Sequence, residues 1–223
     1  SPDVSTVAAG GWTGLDWERQ SQIYLFDRAS GRLMRRLTGL PNVIKCLAFS
    51  PDGRWLAAGL GGANGVRVLD WRSGISQLTD TAYGASSNDV KWSRDGRLVT
   101  SSDDGKLRLY QAPVGSTAGS LTRLAEVDAP GGKEPKAVAF SPDGSQVAVG
   151  YHDSTRVDVV DGSSLQTNFS ADTRGVDNGS LSSVVWSADG RTLAAAGRWD
   201  AGKRDIKGKF PVRMWPDAGR GQP

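Results

Sequence analysis

A turn-forming tag of four residues, Ser-Pro-Asp-Gly or a close variant, recurs along the chain at nearly even spacing. Full tags begin at Ser50, Ser93, Ser141 and Ser187, and the chain opens on the related Ser1-Pro2-Asp3. The intervals between these serines are 49, 43, 48 and 46 residues. Within a tag, proline presets a turn, aspartate can bond its own backbone and glycine accepts a positive φ. A repeat of this length predicts a chain built from one small supersecondary unit per repeat.

Each repeat contains four short strands, labelled a to d in chain order. Strand a is an apolar run that ends in an aromatic residue just before the tag, and strand b follows the tag. Strand c alternates apolar and polar residues, which gives it one packed and one wetter face. In the second repeat, strands a, b and c are predicted at residues 44–49, 55–59 and 66–70. Four strands per repeat predict an all-β fold, a β-propeller with one blade per repeat.

The number of predicted strands does not complete a ring. The chain carries about four and a half four-stranded blades, and together they form one propeller domain. The approximate blade limits are 1–40, 41–86, 87–134, 135–180 and 181–223. Propellers generally have four to eight blades, so we expect a larger, seven-bladed ring whose other blades lie outside this chain. Closure into a small ring, by the chain alone or with a second copy, is the alternative.

The second repeat also carries a family resemblance. Residues 48–59 and 65–74, AFSPDGRWLAAG and GVRVLDWRSG, resemble a WD-repeat β-propeller of the bacterial type, and the likeness extends over essentially the whole chain. The family's Gly-His before strand a is absent, and its Trp-Asp survives only in altered pairs such as Phe26-Asp27 and Leu69-Asp70. The His-based hydrogen-bond network of eukaryotic members is therefore not expected. Turn chemistry and packing are expected to hold the blades instead.

Composition excludes several classes of protein. The net charge of +3 is too small to indicate nucleic-acid binding, and no apolar run is long enough for a membrane span or a signal peptide. The single cysteine, Cys46, excludes an internal disulfide, fits a buried position in strand a and is compatible with a cytoplasmic setting. Residues 198–209 hold five basic and two acidic residues. This segment is interpreted as a solvated hairpin tip or as a basic finger for an acidic partner.

Catalytic chemistry has little support in the sequence. A metal or cofactor site at the axis would need several converging ligands, and only one of the four predicted channel-facing residues is a carboxylate. These residues are Cys46, Asp89, Ala137 and Ser183. The lone His152 is interpreted as an exposed turn residue rather than a catalytic base. We therefore expect no enzyme activity, no metal and no cofactor, and a propeller hydrolase or lactonase with an axial site is the alternative.

The resemblance implies that the b–c turns and d–a loops form the docking face. Trp, Tyr and Arg often anchor interfaces. Lys45 and Lys136 are predicted at the channel mouth, where lysines favour anionic groups. The predicted contacts are Trp12, Trp17, Lys45, Tyr83, Asn88, Lys136, His152, Arg198 and Trp199. Local packing of the loop tryptophans and simple solvation of the rim are the alternatives.

These residues predict a non-catalytic scaffold that binds a protein segment or a ligand. Bacterial propellers of this type imply a sensor role within a larger signalling or defence protein. A purely structural module, completed by further blades or by another chain, is the remaining alternative.

Overall fold

The computed structural model describes residues 1–13, 20–112, 121–176, 179–198 and 212–222. Within these ranges the chain forms strands, turns and bends but no helix, which confirms the all-β prediction. The described strands are β1 Thr6–Ala9, β2 Ser21–Asp27, β3 Leu33–Leu40, β4 Ile44–Phe49, β5 Trp55–Leu60, β6 Val66–Asp70, β7 Ser76–Asp80, β8 Ser87–Trp92, β9 Arg97–Ser102, β10 Lys106–Gln111, β11 Thr122–Asp128, β12 Pro135–Phe140, β13 Gln146–Tyr151, β14 Val157–Asp161, β15 Thr167–Ser170, β16 Ser183–Trp186, β17 Leu193–Ala196 and β18 Arg213–Trp215.

Among the described residues, these strands form five antiparallel sheets whose strands follow one another in chain order. Three sheets have four strands, β4–β7, β8–β11 and β12–β15, whereas β1–β3 and β16–β18 have three strands each. The innermost strands β4, β8, β12 and β16 pack against one another in succession, as the blades of a propeller do. The first sheet corresponds to strands b, c and d, and the last to strands a, b and c. This arrangement confirms a partial propeller of about four and a half blades, while the blade limits and the count of seven stay predictions.

The tags form the a–b turns for a local reason. In each full tag the serine hydroxyl accepts the N–H of the first strand-b residue at 2.8–3.0 Å and donates to the carboxylate of the tag aspartate. The glycine N–H donates to the serine carbonyl, and the glycine φ lies between 68° and 84°. The incomplete first tag makes the same turn with Val4 at φ 60°. All of these bonds join residues at most five positions apart, so the tag alone specifies the turn.

The core lies between consecutive sheets, because each strand alternates its side chains between two neighbouring blades. In β10, Leu107 and Leu109 pack with residues of the fourth sheet, whereas Tyr110 packs with the second sheet. Trp55, Trp186 and Trp215 are buried and Trp92 is half-buried, as their strand positions predict. The indole N–H of Trp186 donates to the Ala139 carbonyl of the preceding blade at 3.0 Å. The described residues include no helix that could cross a lipid bilayer.

Candidate functional site

The b–c turns and d–a loops lie together on one face, which we call the loop face. Hydrogen bonds join each turn to the loop beside it. Gly84 N–H donates to the Asp104 carboxylate at 2.9 Å, and Lys133 N–H donates to Asp153 at 2.8 Å. At the fifth sheet, Ser180 N–H donates to the Arg198 carbonyl at 2.7 Å. These bonds fix loops that are distant in sequence into a single surface.

A β-bulge opens strand a in three consecutive blades. The register of strands a and b shifts between Ile44 and Cys46, between Ser87 and Asp89, and between Pro135 and Ala137. The extra residue at each bulge is Lys45, Asn88 or Lys136, three of the four residues that the sequence places at the channel mouth. The fourth, Ser182, precedes β16, whose pairing with β17 shows no such shift. Bulges re-aim side chains and occur often next to functional sites. The three residues therefore share the same β-bulge at the start of strand a.

Two of these bulge residues contact each other directly. Lys136 Nζ donates to Asn88 Oδ1 at 2.9 Å, and the Asn88 amide donates to the Pro135 carbonyl at 3.1 Å and to the Asp103 carboxylate. The cluster joins the third and fourth blades across their inner strands. Lys45 is exposed on the second blade. An ammonium group has three donors, so Lys136 retains donors for a ligand.

Tyr83, a predicted contact residue, lies inside the molecule with 4% of its surface exposed. Its hydroxyl is 2.7 Å from Thr100 Oγ1 and 3.0 Å from the Tyr110 hydroxyl, which donates to Asp80 at 2.9 Å. Burial raises the pKa of Tyr83 to about 12. The sequence predicts that turns and packing alone hold the blades. In the structure a hydrogen-bond network centred on Tyr83 also joins strands b and c of the third blade to the preceding loop.

Arg108 completes this network, and the sequence prediction missed it. The side chain is 2% exposed, its guanidinium lies 3.8 Å from the Tyr83 ring centre, and it donates to Asp104 at 2.7 Å and to the Ala82 carbonyl at 2.9 Å. Desolvation opposes the charge of Arg108, and Asp104 offsets that cost, so the net effect raises the pKa of Arg108. A charged residue on the packed side of strand c, four positions after an Asp, is the signal that could have identified it.

The other predicted contacts lie apart from this network. His152 is exposed and its Nδ1 is 2.9 Å from Glu134 Oε2. Trp12 is 90% exposed, and Arg198 is exposed beside its carbonyl bond to Ser180. Trp17 and Trp199 lie outside the described residues, as does most of the basic segment 198–209. The structure thus places Trp12, His152 and Arg198 on the surface without bringing them into contact with the Asn88–Lys136 pair.

The channel-facing positions carry no built metal site in the described ranges, where no group of three or more His, Cys, Asp or Glu side chains is arranged to hold an ion. Asp89 accepts the Val138 N–H at 3.2 Å and pairs with Lys91 at 2.9 Å. Cys46 packs at the edge of the core between the second and third sheets. Burial, reinforced by the Asp89 charge, raises the pKa of the Cys46 thiol to about 12, so the thiol is protonated at neutral pH.

Comparison with known proteins identifies the repeat. Residues 31–70 and 77–111 match the family described as WD domain, G-beta repeat. Telomerase protein component 1 of Rattus norvegicus is 33% identical over 153 residues, which are 67% of this chain and 5% of that protein. Small ribosomal subunit protein RACK1 of Caenorhabditis elegans is 29% identical over 123 residues, 51% of this chain and 35% of that protein. The chain thus spans only a small part of these relatives.

A solved structure shares the fold. A chain in the crystal structure of the mitotic checkpoint complex superposes with a TM-score of 0.69 at 21% sequence identity, covering 97% of this chain and 65% of that chain. At this identity the likeness concerns the fold alone. The sequence matches above are to eukaryotic proteins, and none of them indicates the bacterial type that the resemblance suggested.

Proposed function

We propose that this chain, two segments of which match the WD repeat, is a non-catalytic scaffold that recognises a segment of a partner protein on its loop face. The observation that carries the proposal is the triple bulge, which places Lys45, Asn88 and Lys136 at equivalent positions of three consecutive blades. Lys45 is exposed and Lys136 half-buried, and the buried Asn88 orients Lys136. A purely structural module would need only regular strand pairing at these places. Aligned polar side chains at a channel mouth are what a recognition site needs.

The chemistry of this rim favours a partner segment with acidic or carbonyl groups. Lys45 and Lys136 supply two cations, while Asn88, itself bonded to Asp103, accepts a hydrogen bond from Lys136 on one side. Charge-assisted hydrogen bonds are stronger than neutral ones, and a rim charge also steers association. Trp12 and His152 provide an exposed aromatic ring and a polar group farther out on the same face.

The comparisons also bear on the wider role of the propeller. The relatives include a telomerase component and a ribosomal protein, and the structural neighbour belongs to a multi-protein assembly. We propose by analogy that this propeller works inside a larger protein or assembly, as the sensing part of a signalling or defence protein. A bacterial origin and a cytoplasmic location belong to the same proposal. Contacts through Trp17 and Trp199 are proposed from sequence.

Site-specific photo-crosslinking tests which face meets a partner. A photoreactive amino acid replaces Trp12 or His152 on the loop face, and Ser76 on outer strand β7 and Thr122 on outer strand β11 serve as the controls. We expect one protein, identified by mass spectrometry, to crosslink from the loop-face positions only. Equal crosslinking from the control positions would contradict the proposal.

The purified partner then allows a quantitative test. Lys45→Glu and Lys136→Glu together should weaken binding by about tenfold or more, because two attractive charges become repulsive. Trp12→Ala should leave the melting temperature unchanged, since the side chain is exposed. An unchanged Kd for the double charge reversal would exclude the rim as the site. A stoichiometric divalent ion in the purified protein would instead support an axial hydrolase.

A further inference from the structure

The face opposite the loop face, formed by the tags and the c–d turns, contains a groove between the fourth and fifth sheets. Its volume is about 300 Å³. The groove is lined by Arg94, Ser141, Pro142, Asp143, Gln146, Trp186, Asp189, Gly190 and Ala218. We propose that this groove binds an arginine side chain of a partner segment, a site independent of the loop face.

One blade earlier, Arg97 of the chain itself fills the equivalent space. The Arg97 guanidinium lies 5.6 Å from the ring centre of Phe140 and donates to the carbonyl oxygens of Gly144 at 3.0 Å and Gly162 at 2.5 Å. It also forms an ion pair with the tag residue Asp95 at 2.8 Å. An aromatic ring, two carbonyls and a carboxylate therefore make a receptor for one guanidinium between the third and fourth sheets.

Hydrogen bonds establish which residues of the groove correspond to this receptor. Gln146 corresponds to Arg97, because the N–H of each donates to its tag serine, at 3.0 and 2.9 Å. Ala218 corresponds to Gly162, because the N–H of each donates to the carbonyl of the residue after a tag glycine, at 2.8 Å in both cases.

The remaining parts of the receptor correspond by their place relative to the tag. Trp186 stands directly before its tag serine, as Phe140 does, and Gly190 is the tag glycine, as Gly144 is. Asp143 corresponds to Asp95. All four parts of the receptor are thus repeated between the fourth and fifth sheets, and only the arginine is missing.

Gln146, which stands where Arg97 stands one blade earlier, has a side-chain acceptor without a donor in the described part of the chain. The glutamine side chain is shorter than that of arginine, and the Oε1 atom of Gln146 is buried without a hydrogen-bond donor among the described residues. An unpaired buried acceptor costs stability. A guanidinium has five N–H donors in a planar fork and stacks on an aromatic face, so it could satisfy Gln146 while lying against Trp186.

The charge of the groove agrees with a cationic ligand. Asp143 and Asp189 contribute two negative charges, and hydrogen bonds from Ser141 and Ser187, respectively, lower the pKa values of the two carboxyls. Arg94, which is exposed, contributes one positive charge that opposes the ligand. The balance is negative, and removal of the Arg94 charge should strengthen binding.

The test measures binding of the tripeptide Ac-Gly-Arg-Gly-NH2 to the full chain. Ac-Gly-Gln-Gly-NH2 is the uncharged control, and binding is monitored by the NMR signals of the tryptophan indoles. We expect the arginine peptide to shift the Trp186 signal and the control peptide to bind about tenfold more weakly or not at all. Gln146→Arg should abolish peptide binding and raise the melting temperature, since the protein then fills its own groove.

Further variants distinguish specific binding in the groove from non-specific binding of the peptide to the surface. Arg94→Ala should tighten binding about two- to tenfold, and Arg97→Gln should create a second site next to Phe140. If Arg97→Gln is too unstable to fold, the Gln146→Arg and Arg94→Ala results decide the matter. Equal binding of both peptides, or undiminished binding to Gln146→Arg, would overturn the proposal. Lys45→Glu and Lys136→Glu should have no effect here, so failure at the loop face leaves this test intact.

Discussion

The two ends of each blade are built in opposite ways. At the tag end the same serine, aspartate and glycine bonds recur in every full tag. At the loop end the stabilising side-chain contacts differ between blades. Tyr83, Tyr110 and Arg108 hold the third blade, whereas in the fourth blade Tyr151 donates to the buried Asp158 at 2.8 Å. The repeated end sets the architecture. The varied end can differ between blades because the tags already position the strands, and that freedom is what recognition requires.

A buried charge makes the loop end of the third blade the place where a substitution should cost most. Arg108→Met would leave Asp104 without its guanidinium partner, and breaking one side of a buried ion pair costs about 3–5 kcal/mol. We expect the free energy of unfolding, measured by urea denaturation, to fall by that amount. The matched control is Lys106→Met, two residues away, whose pair with Asp128 at 2.9 Å is exposed and should contribute about 0.5 kcal/mol. Similar losses for the two variants would mean that the network does not hold the blade.

Alkaline pH tests the same network through Tyr83. Burial raises the Tyr83 pKa to about 12 in the folded protein, against about 10 for a free tyrosine. The unfolded chain therefore loses this proton first, so the stabilisation is complete below pH ~10 and declines as pH rises towards ~12. Tyr83→Phe should cost about 1 kcal/mol at neutral pH through lost hydrogen bonds.

The pH dependence of the stability difference between the wild type and Tyr83→Phe tests the Tyr83 pKa more directly than its value at neutral pH. We expect the gap in unfolding free energy between the wild type and Tyr83→Phe to narrow and then reverse sign between pH ~10 and ~12. Only the wild type has the Tyr83 proton to lose, and a shift of two pKa units is worth about 2.7 kcal/mol. The control is Tyr24→Phe, at a half-buried position in the first sheet. A gap that stays constant with pH would contradict the assignment of the shift to Tyr83.

The tag end offers a reciprocal pair of variants that test the backbone alone. Gly53 has φ 68°, and a Cβ atom there would meet only Pro2 at an ordinary 3.7 Å, so Gly53→Ala should cost about 1–2 kcal/mol through the backbone alone. Val4 occupies the same position in the first tag at φ 60°, where a β-branched residue is strained. Val4→Gly should therefore stabilise the protein by about 1 kcal/mol.

Calorimetric melting of both variants checks this reciprocity. Ala29→Gly serves as the control, because it adds the flexibility of glycine at an exposed turn residue that does not have a positive φ. It should lower the melting temperature slightly. If Val4→Gly also lowers it, then strain at the first tag is not what distinguishes that tag from the others.

Sequence reasoning succeeded where the signal was local and missed the contacts between blades. The limits of β4 and β6 agree with those predicted for strands a and c of the second repeat. The sequence predicts Lys45, Asn88 and Lys136 as equivalent residues, and each lies at a register shift between strands a and b, but such a bulge forms only when the strands pair. Tyr83 resembled an interface anchor because its loop is irregular, and its burial depends on Thr100 and Tyr110 from later strands.

The chain by itself determined the turns, the alternation of its strands and the number of sheets, because each of these depends on bonds and side-chain spacing within a few residues. Only the tertiary structure decided that a tyrosine-centred network holds the third blade, and that one blade interface holds Arg97 while the next leaves a groove beside Gln146. These features arise where residues about one repeat apart in sequence meet. Their geometry depends on how two sheets pack, which no single repeat encodes.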